Sequence, residues 1–325
     1  EGFTNQHLLT YRGNARSAIS QYAGALSDLN RAVEMGADEA EVFYRRGFAN
    51  YESNNYEAAL DDMNKAIARD ADLAEAYYVR GNARFRVKDY SSAVSDYDQA
   101  ISKGVKNPVI FNNRGKAKYL LKKHEASIPD FDQAILLDSA YTRAYENRGI
   151  AHFRLENYEA AQQDLRQVEK EEESPSNTLR YYLADAHYEL ENYPMAIGYY
   201  DLVIEGDIKE KNAYFRRGMA HFERENYERA AVDFSNAISL DKEDAELYIK
   251  RATAYTYLYY LEDAIGDFTR ALKLNPENTN LYYNRAYLKE ELIDYKGAVK
   301  DYDQVLSHTP DDAAAYYDRA NVKIL

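Results

Sequence analysis

The sequence has six histidines and 55 aspartates and glutamates, the groups from which a metal site or a general acid–base pair would have to be built. Their spacing favours neither. His152, His187 and His221 follow one another at intervals of 35 and 34 residues, which spreads them along the chain and does not gather them around one ion. They are expected to fill packing positions between helices. No His-Glu-x-x-His, glycine-rich phosphate loop or nucleophile elbow occurs, and no two carboxylates stand out as an acid and a base. The lack of Cys removes thiolate zinc sites, thiol nucleophiles and disulfides. The expectation is a non-enzyme without cofactor or metal.

Arginine followed by Gly or Ala recurs at Arg12, Arg46, Arg80, Arg114, Arg148, Arg217, Arg251, Arg285 and Arg319. Successive intervals are 34 residues, except for 69 between Arg148 and Arg217, where Leu183 stands at the missing place. Numbering each repeat from six residues before this arginine puts it at position 7. Position 23 is then Asp28, Asp62, Asp96, Asp130, Asp164, Asp233, Asp267 and Asp301, and it is Tyr199 only in the repeat that has Leu183. A charge on a face that must be buried needs a partner. The joint loss predicts an ion pair inside each repeat, as in Arg46–Asp62, Arg80–Asp96, Arg114–Asp130 and Arg217–Asp233. Its role is structural.

The elements that must hold these pairs follow from the period. At 100° per residue, positions 3, 4, 7, 10, 11 and 14 share one face of a first helix, and 2, 5, 9, 12 and 13 share the opposite one. Positions 17, 20, 21, 24, 27 and 28 make an apolar stripe on a second helix. Position 8 is Gly or Ala, as in Gly13, Gly47, Gly81, Gly115, Gly149 and Gly218, and position 20 is Ala in every repeat but one, which has Ser127. Position 24 is large and apolar, as in Tyr97, Phe131, Phe234 and Phe268, and Pro at 32 survives as Pro276 and Pro310. This 34-residue pattern resembles the tetratricopeptide repeat family, over nine full repeats and the first half of a tenth. The resemblance implies an all-α fold, a TPR-type α-solenoid of antiparallel helix pairs forming a right-handed superhelix with the first helices on its inner face. Each helix pair has too much apolar surface to stand alone and must stack on its neighbours.

Repeats 1–5 cover residues 1–176, and repeats 6–9 with the first helix of a tenth cover 177–325, in one continuous solenoid. The inserted residue falls in "VEKEEESPSN", where Pro175 stops a helix behind an acidic run, so a kink is expected at 169–178. Pro129 lies inside the second helix of the fourth repeat and removes one backbone hydrogen bond. The chain ends on a helix without a polar cap and begins as abruptly, so a fragment of a longer array or of a larger protein is expected.

A binding surface is expected on the face opposite the packing one. Position 5 carries Tyr44, Tyr78, Tyr181, Phe215, Tyr283 and Tyr317, and position 12 carries Tyr51, Phe85, Tyr119, Phe153, Tyr188 and Phe222. Aromatics at this spacing also suit packing between neighbouring first helices. Position 9 varies most, from Asn14, Asn82 and Asn321 to Phe48, Lys116, Ile150, Asp185, Met219, Thr253 and Tyr287. It is read as free of packing demands and able to carry specificity. Asn112, Asn113, Lys116, Arg143 and Asn147 form a partly basic section suited to an acidic or C-terminal group. Some members of the family clamp a peptide carboxylate with Lys and Asn, but no position 5 here is Lys or Arg, so that clamp is not implied.

The net charge of -14 and the pI near 5.0 argue against a nucleic-acid partner. No apolar run approaches a membrane span, and the compartment is left open. A protein or peptide partner bound in a concave aromatic groove is the expected function. The alternative is a scaffold or spacer in a larger assembly, such as a bacterial cell-envelope or secretion complex.

Overall fold

The computed structural model describes residues 5–206 and 210–324, and among the described residues there are 19 α-helices and no strand. The chain divides into two compact units, residues 1–172 and 173–325. The N-terminal unit holds α1 (Gln6–Ala18), α2 (Tyr22–Glu34), α3 (Ala40–Glu52), α4 (Tyr56–Arg69) and α5 (Ala74–Arg86). It continues with α6 (Tyr90–Ser102), α7 (Pro108–Leu120), α8 (His124–Leu137), α9 (Thr142–Arg154) and α10 (Tyr158–Glu171). The C-terminal unit holds α11 (Asn177–Glu189), α12 (Tyr193–Glu205), α13 (Lys211–Glu223), α14 (Tyr227–Leu240) and α15 (Ala245–Tyr257). Its last four are α16 (Leu261–Leu274), α17 (Thr279–Glu291), α18 (Tyr295–His308) and α19 (Ala313–Ile324).

Each repeat is one antiparallel pair, an odd-numbered helix followed by an even-numbered one. The turn between them is the same nine times. In the second repeat the Asn54 N–H donates to the Tyr51 carbonyl at 2.9 Å and the Asn55 N–H to the Asn50 carbonyl at 2.8 Å, a Schellman closure that needs one left-handed residue. Position 15 supplies it in all nine repeats, with φ between 57° and 66°, and never as glycine. Some starts are capped by a side chain: Asn107 Oδ1 accepts from the Ile110 N–H at 2.9 Å ahead of Pro108, and Ser176 Oγ from the Leu179 N–H at 3.1 Å. Pro129 lies inside α8, which continues past it to Leu137.

The core sits between the two helices of each repeat and between successive repeats. Tyr97, Phe131, Tyr200 and Phe234 at position 24 are fully buried. They explain the small residue at position 8: a Cβ on Gly115 would lie 2.7 Å from Phe131 Cε1. Within the N-terminal unit each first helix also approaches the first helix of the next repeat, and the second helices do not approach one another to a comparable extent. The first-helix side of that unit is therefore the inner one.

Candidate functional site

The charged positions are built first, because they fix the helices that carry everything else. In every full repeat with Arg at position 7, its Nη2 lies 2.5 to 2.7 Å from an oxygen of the Asp at position 23. Nε makes a second bond to the same carboxylate, as from Arg46 to Asp62 at 2.9 Å and from Arg217 to Asp233 at 3.0 Å. Asp62 is 2% exposed and buried beside the half-buried Arg46. Where position 11 is basic it adds another donor: Arg16 on Asp28 at 2.6 Å, Lys118 on Asp130 at 2.7 Å. The Arg12 guanidinium accordingly holds the Asp28 carboxyl below the usual carboxylate range, against the opposing effect of burial.

Sequence reasoning missed the third arm. Nη1 of the same arginine reaches back to position 25 of the preceding repeat: Arg80 to Asn64 at 2.8 Å, Arg114 to Asp98 at 2.7 Å, Arg217 to Asp201 at 2.6 Å and Arg285 to Thr269 at 2.9 Å. One guanidinium thus fastens its own helix pair and ties it to the one before. Where Leu183 stands in its place, Leu183 is fully buried and His187 at position 11 stacks on Tyr199. His221 is also buried and His152 half-buried, and burial lowers the pKa of both. Among the described residues no group of three or more His, Asp or Glu could hold a metal ion.

The residues proposed for binding fall in two groups, one in each compact unit. In the N-terminal unit Tyr44, Phe48, Tyr51, Tyr78, Phe85 and Tyr119 are all half-buried. Their rings are partly committed to packing: Tyr78 lies 6.4 Å from Tyr97, Phe85 5.3 Å from Tyr90 and Tyr51 5.9 Å from Tyr56, centroid to centroid. In the C-terminal unit Tyr181 and Phe215 pack the same way on Tyr200 and Phe234, and Tyr283 on Tyr302. Tyr287 is exposed and, with Thr253, Thr256, Tyr257 and Asn284, lines a notch of about 310 Å³.

Position 9 is not free of packing. Ile150 and Asp185 are buried there, and Phe48 packs on the core of its repeat. The helix spacing turns position 9 toward position 6 of the following repeat, so the two residues must match. The Asn113 Nδ2 donates to Asn82 Oδ1 at 3.2 Å, and Lys116 Nζ to Asn147 Oδ1 at 2.7 Å.

These two contacts belong to one polar row across three first helices. The Tyr97 hydroxyl also donates to Asn82 Oδ1 (2.9 Å), and Asn147 Nδ2 donates to Oδ1 of the buried Asn112 (2.9 Å). Lys116 closes the row with its ammonium 5.3 Å from the centre of the Tyr119 ring. Burial lowers its pKa, with Glu146 acting weakly in the other direction. Among the described residues it makes no ion pair. Arg143 stands exposed one turn before Asn147.

Family models of the tetratricopeptide repeat match residues 12–74 and 146–213, residues 212–244, and residues 74–102. No curated protein matches the chain. Among solved structures, the C-terminal part of a TPR repeat-containing protein from Cytophaga hutchinsonii is similar at 16% identity with a TM-score of 0.63, covering 74% of this chain and 98% of that one. YrrB, a TPR protein whose structure is described as having an unusual peptide-binding site, is similar at 20% identity and 0.53, covering 58% and 97%. A TPR protein from Parabacteroides merdae is similar at 21% and 0.51, covering 80% and 98%. These likenesses agree on the stacked helix pairs. The chain belongs to the tetratricopeptide repeat family and, as an array of such repeats, is a protein-interaction module.

Proposed function

We propose that the first-helix face of the N-terminal unit binds a peptide or partner segment, with Lys116 and Asn147 receiving its carboxylate. The observation that carries this reading is the half-buried Lys116 ammonium, which has amide and aromatic neighbours and no carboxylate bonded to it. A cation drawn out of water without a counter-ion is unfavourable in the free protein. An incoming carboxylate removes that cost, and Asn82 and Asn113 extend the row of amides that a peptide backbone can bond, with Asn112 buried behind Asn147. Tyr44, Phe48, Tyr51, Tyr78, Phe85 and Tyr119 supply flanking apolar area, and Arg143 a second positive charge. Tyr181, Phe215, Tyr283 and Tyr287 hold comparable positions in the C-terminal unit. The peptide-binding site named for YrrB is in keeping with this use of the fold.

The test is selection of binders from a peptide library with free carboxyl termini, followed by titration of the selected peptides as acids and as C-terminal amides. Lys116→Met, Asn147→Ala and amidation should each weaken binding roughly tenfold or more. Selected binders that tolerate all three changes would refute the assignment.

A further inference from the structure

The turns inside the repeats share a backbone and differ in chemistry. Position 15 is left-handed throughout, and in seven repeats it is Ser, Asn, Lys or Glu. In the eighth and ninth it is Tyr259 (φ 58°) and Ile293 (φ 64°). A bulky or β-branched side chain is disfavoured in this region, where Asn or Gly is at ease. Beyond the hydrogen bonds of the turn, side-chain burial does little to offset that strain, because Tyr259 is 82% and Ile293 72% exposed.

A second oddity adjoins them. Tyr257 at position 13 of the eighth repeat stacks on Tyr227 at position 17 of the seventh, with centroids 4.5 Å apart and planes within 8°. At the same two positions of the third and second repeats, Arg86 lies over Tyr56, 5.5 Å from the ring centre, and its Nε donates to the Tyr56 hydroxyl at 3.0 Å. A tyrosine thus replaces the cation in the eighth repeat, and Tyr257 is 56% exposed. The rim is acidic. Glu223 and Glu225 lie close enough to Tyr227 to raise its pKa together with burial. Glu262 and Asp263 follow the tyrosine-rich turn and are exposed.

We propose that this edge of the C-terminal unit docks a basic segment of a partner protein, with an arginine over the open face of Tyr257 and apolar side chains on Tyr259 and Ile293. Arginine fits because it stacks on aromatic faces and pairs with carboxylates at once; Arg86 over Tyr56 already shows the stacking inside the chain. The acidic rim around Tyr257 and Tyr259 disfavours an anionic membrane or a nucleic acid at that end. The edge selects the charge opposite to the one Lys116 would select, so the two surfaces are independent.

The experiment titrates the full chain into a fluorescein-labelled peptide of three Leu-Arg-Arg-Leu blocks, read by anisotropy, against the same peptide with Glu for Arg. Saturable binding of the arginine peptide, weakened by salt and absent for the glutamate one, is expected. Tyr259→Asn with Ile293→Asn should weaken it roughly tenfold or more. That double variant relieves strained turns, so its melting temperature should hold or rise, which separates lost binding from lost folding. Tyr257→Arg, which supplies the cation from within, should also compete the peptide out. The proposal is overturned if the arginine peptide fails to bind, if these variants bind it unchanged, or if the glutamate peptide binds equally. It is also overturned if the chain instead sediments with phosphatidylcholine–phosphatidylglycerol vesicles through Tyr259 and Ile293. Loss on Lys116→Met alone would move the peptide to the first-helix face and overturn it too.

Discussion

His187 stacks on Tyr199 with ring centroids 5.5 Å apart and planes within 16°, in the one repeat where Leu183 replaces the recurrent arginine. The pair fills with two rings the place that a guanidinium and a carboxylate fill elsewhere. Both solutions bury the interface, but they cannot be mixed. Tyr199→Asp alone places a carboxylate beside Leu183 with no guanidinium to meet it, and should cost about 3–5 kcal/mol in urea unfolding. Adding Leu183→Arg should recover more than half of that loss. Simple additivity of the two single changes would show that they do not interact.

Two glycines make a matched comparison of crowding. Gly115→Ala drives a Cβ into the ring of the fully buried Phe131 and should destabilise by about 1–3 kcal/mol. Gly266 lies inside α16 with nothing within 4 Å of its would-be Cβ. Gly266→Ala should therefore stabilise by about 0.5–1 kcal/mol, the helix-propensity difference. Equal melting temperatures for the two variants would contradict the packing described for position 8.

The buried carboxyl of Asp185 accepts a hydrogen bond from the Tyr200 hydroxyl. Burial raises its pKa above the ordinary value, and the hydrogen bond from Tyr200 only partly opposes this. The folded form then holds the proton more tightly than the unfolded one. Its stabilising contribution is fully present below the unfolded pKa, near about 3.9, and is lost as pH rises through the folded pKa. The stability of the native chain minus that of Asp185→Asn should fall over this window as pH increases. A difference that is flat with pH, or that grows, would remove Asp185 from this account.

Lys116 carries a cost in the free protein that a ligand would relieve. Lys116→Met keeps the length of the side chain and removes the charge, so the unliganded chain should gain up to about 1 kcal/mol while losing the acidic peptide. Guanidinium unfolding of the two proteins without peptide measures the first half. A less stable variant would mean that the ammonium bonds something more favourable than the Asn147 amide.

What could be read from the residues depended on how strictly a position constrains its partner. Arg and Asp at positions 7 and 23 were legible because only one residue type satisfies each, so their joint loss at Leu183 and Tyr199 stands out. The acceptor at position 25 was not, since Asn30, Asn64, Asp98, Asp132, Asp201, Ser235, Thr269 and Asp303 all offer an oxygen by different chemistry. A signal was nonetheless present: the fifth repeat has Arg166 at that place, and the repeat after it is the one without arginine. Position 9 looked unconstrained because its variety was taken one repeat at a time. Asn82 with Asn113 and Lys116 with Asn147 show that the constraint joins neighbours and does not fix a residue type. The aromatics at positions 5 and 12 were legible as a stripe, but period alone cannot divide a ring between core and surface. Tyr78 and Phe85 do both.

The backward-reaching guanidinium makes the repeats interchangeable parts with a defined fitting. A repeat with arginine at its seventh place can follow any repeat that presents a side-chain oxygen at its twenty-fifth, whatever the rest of its surface carries. Duplication or deletion of one 34-residue block, from Arg46 through Val79 for example, leaves every such junction filled. The array can thus change length by recombination while its inner face is rewritten residue by residue, and only a block headed by leucine, like the one at Leu183, is bound to its place.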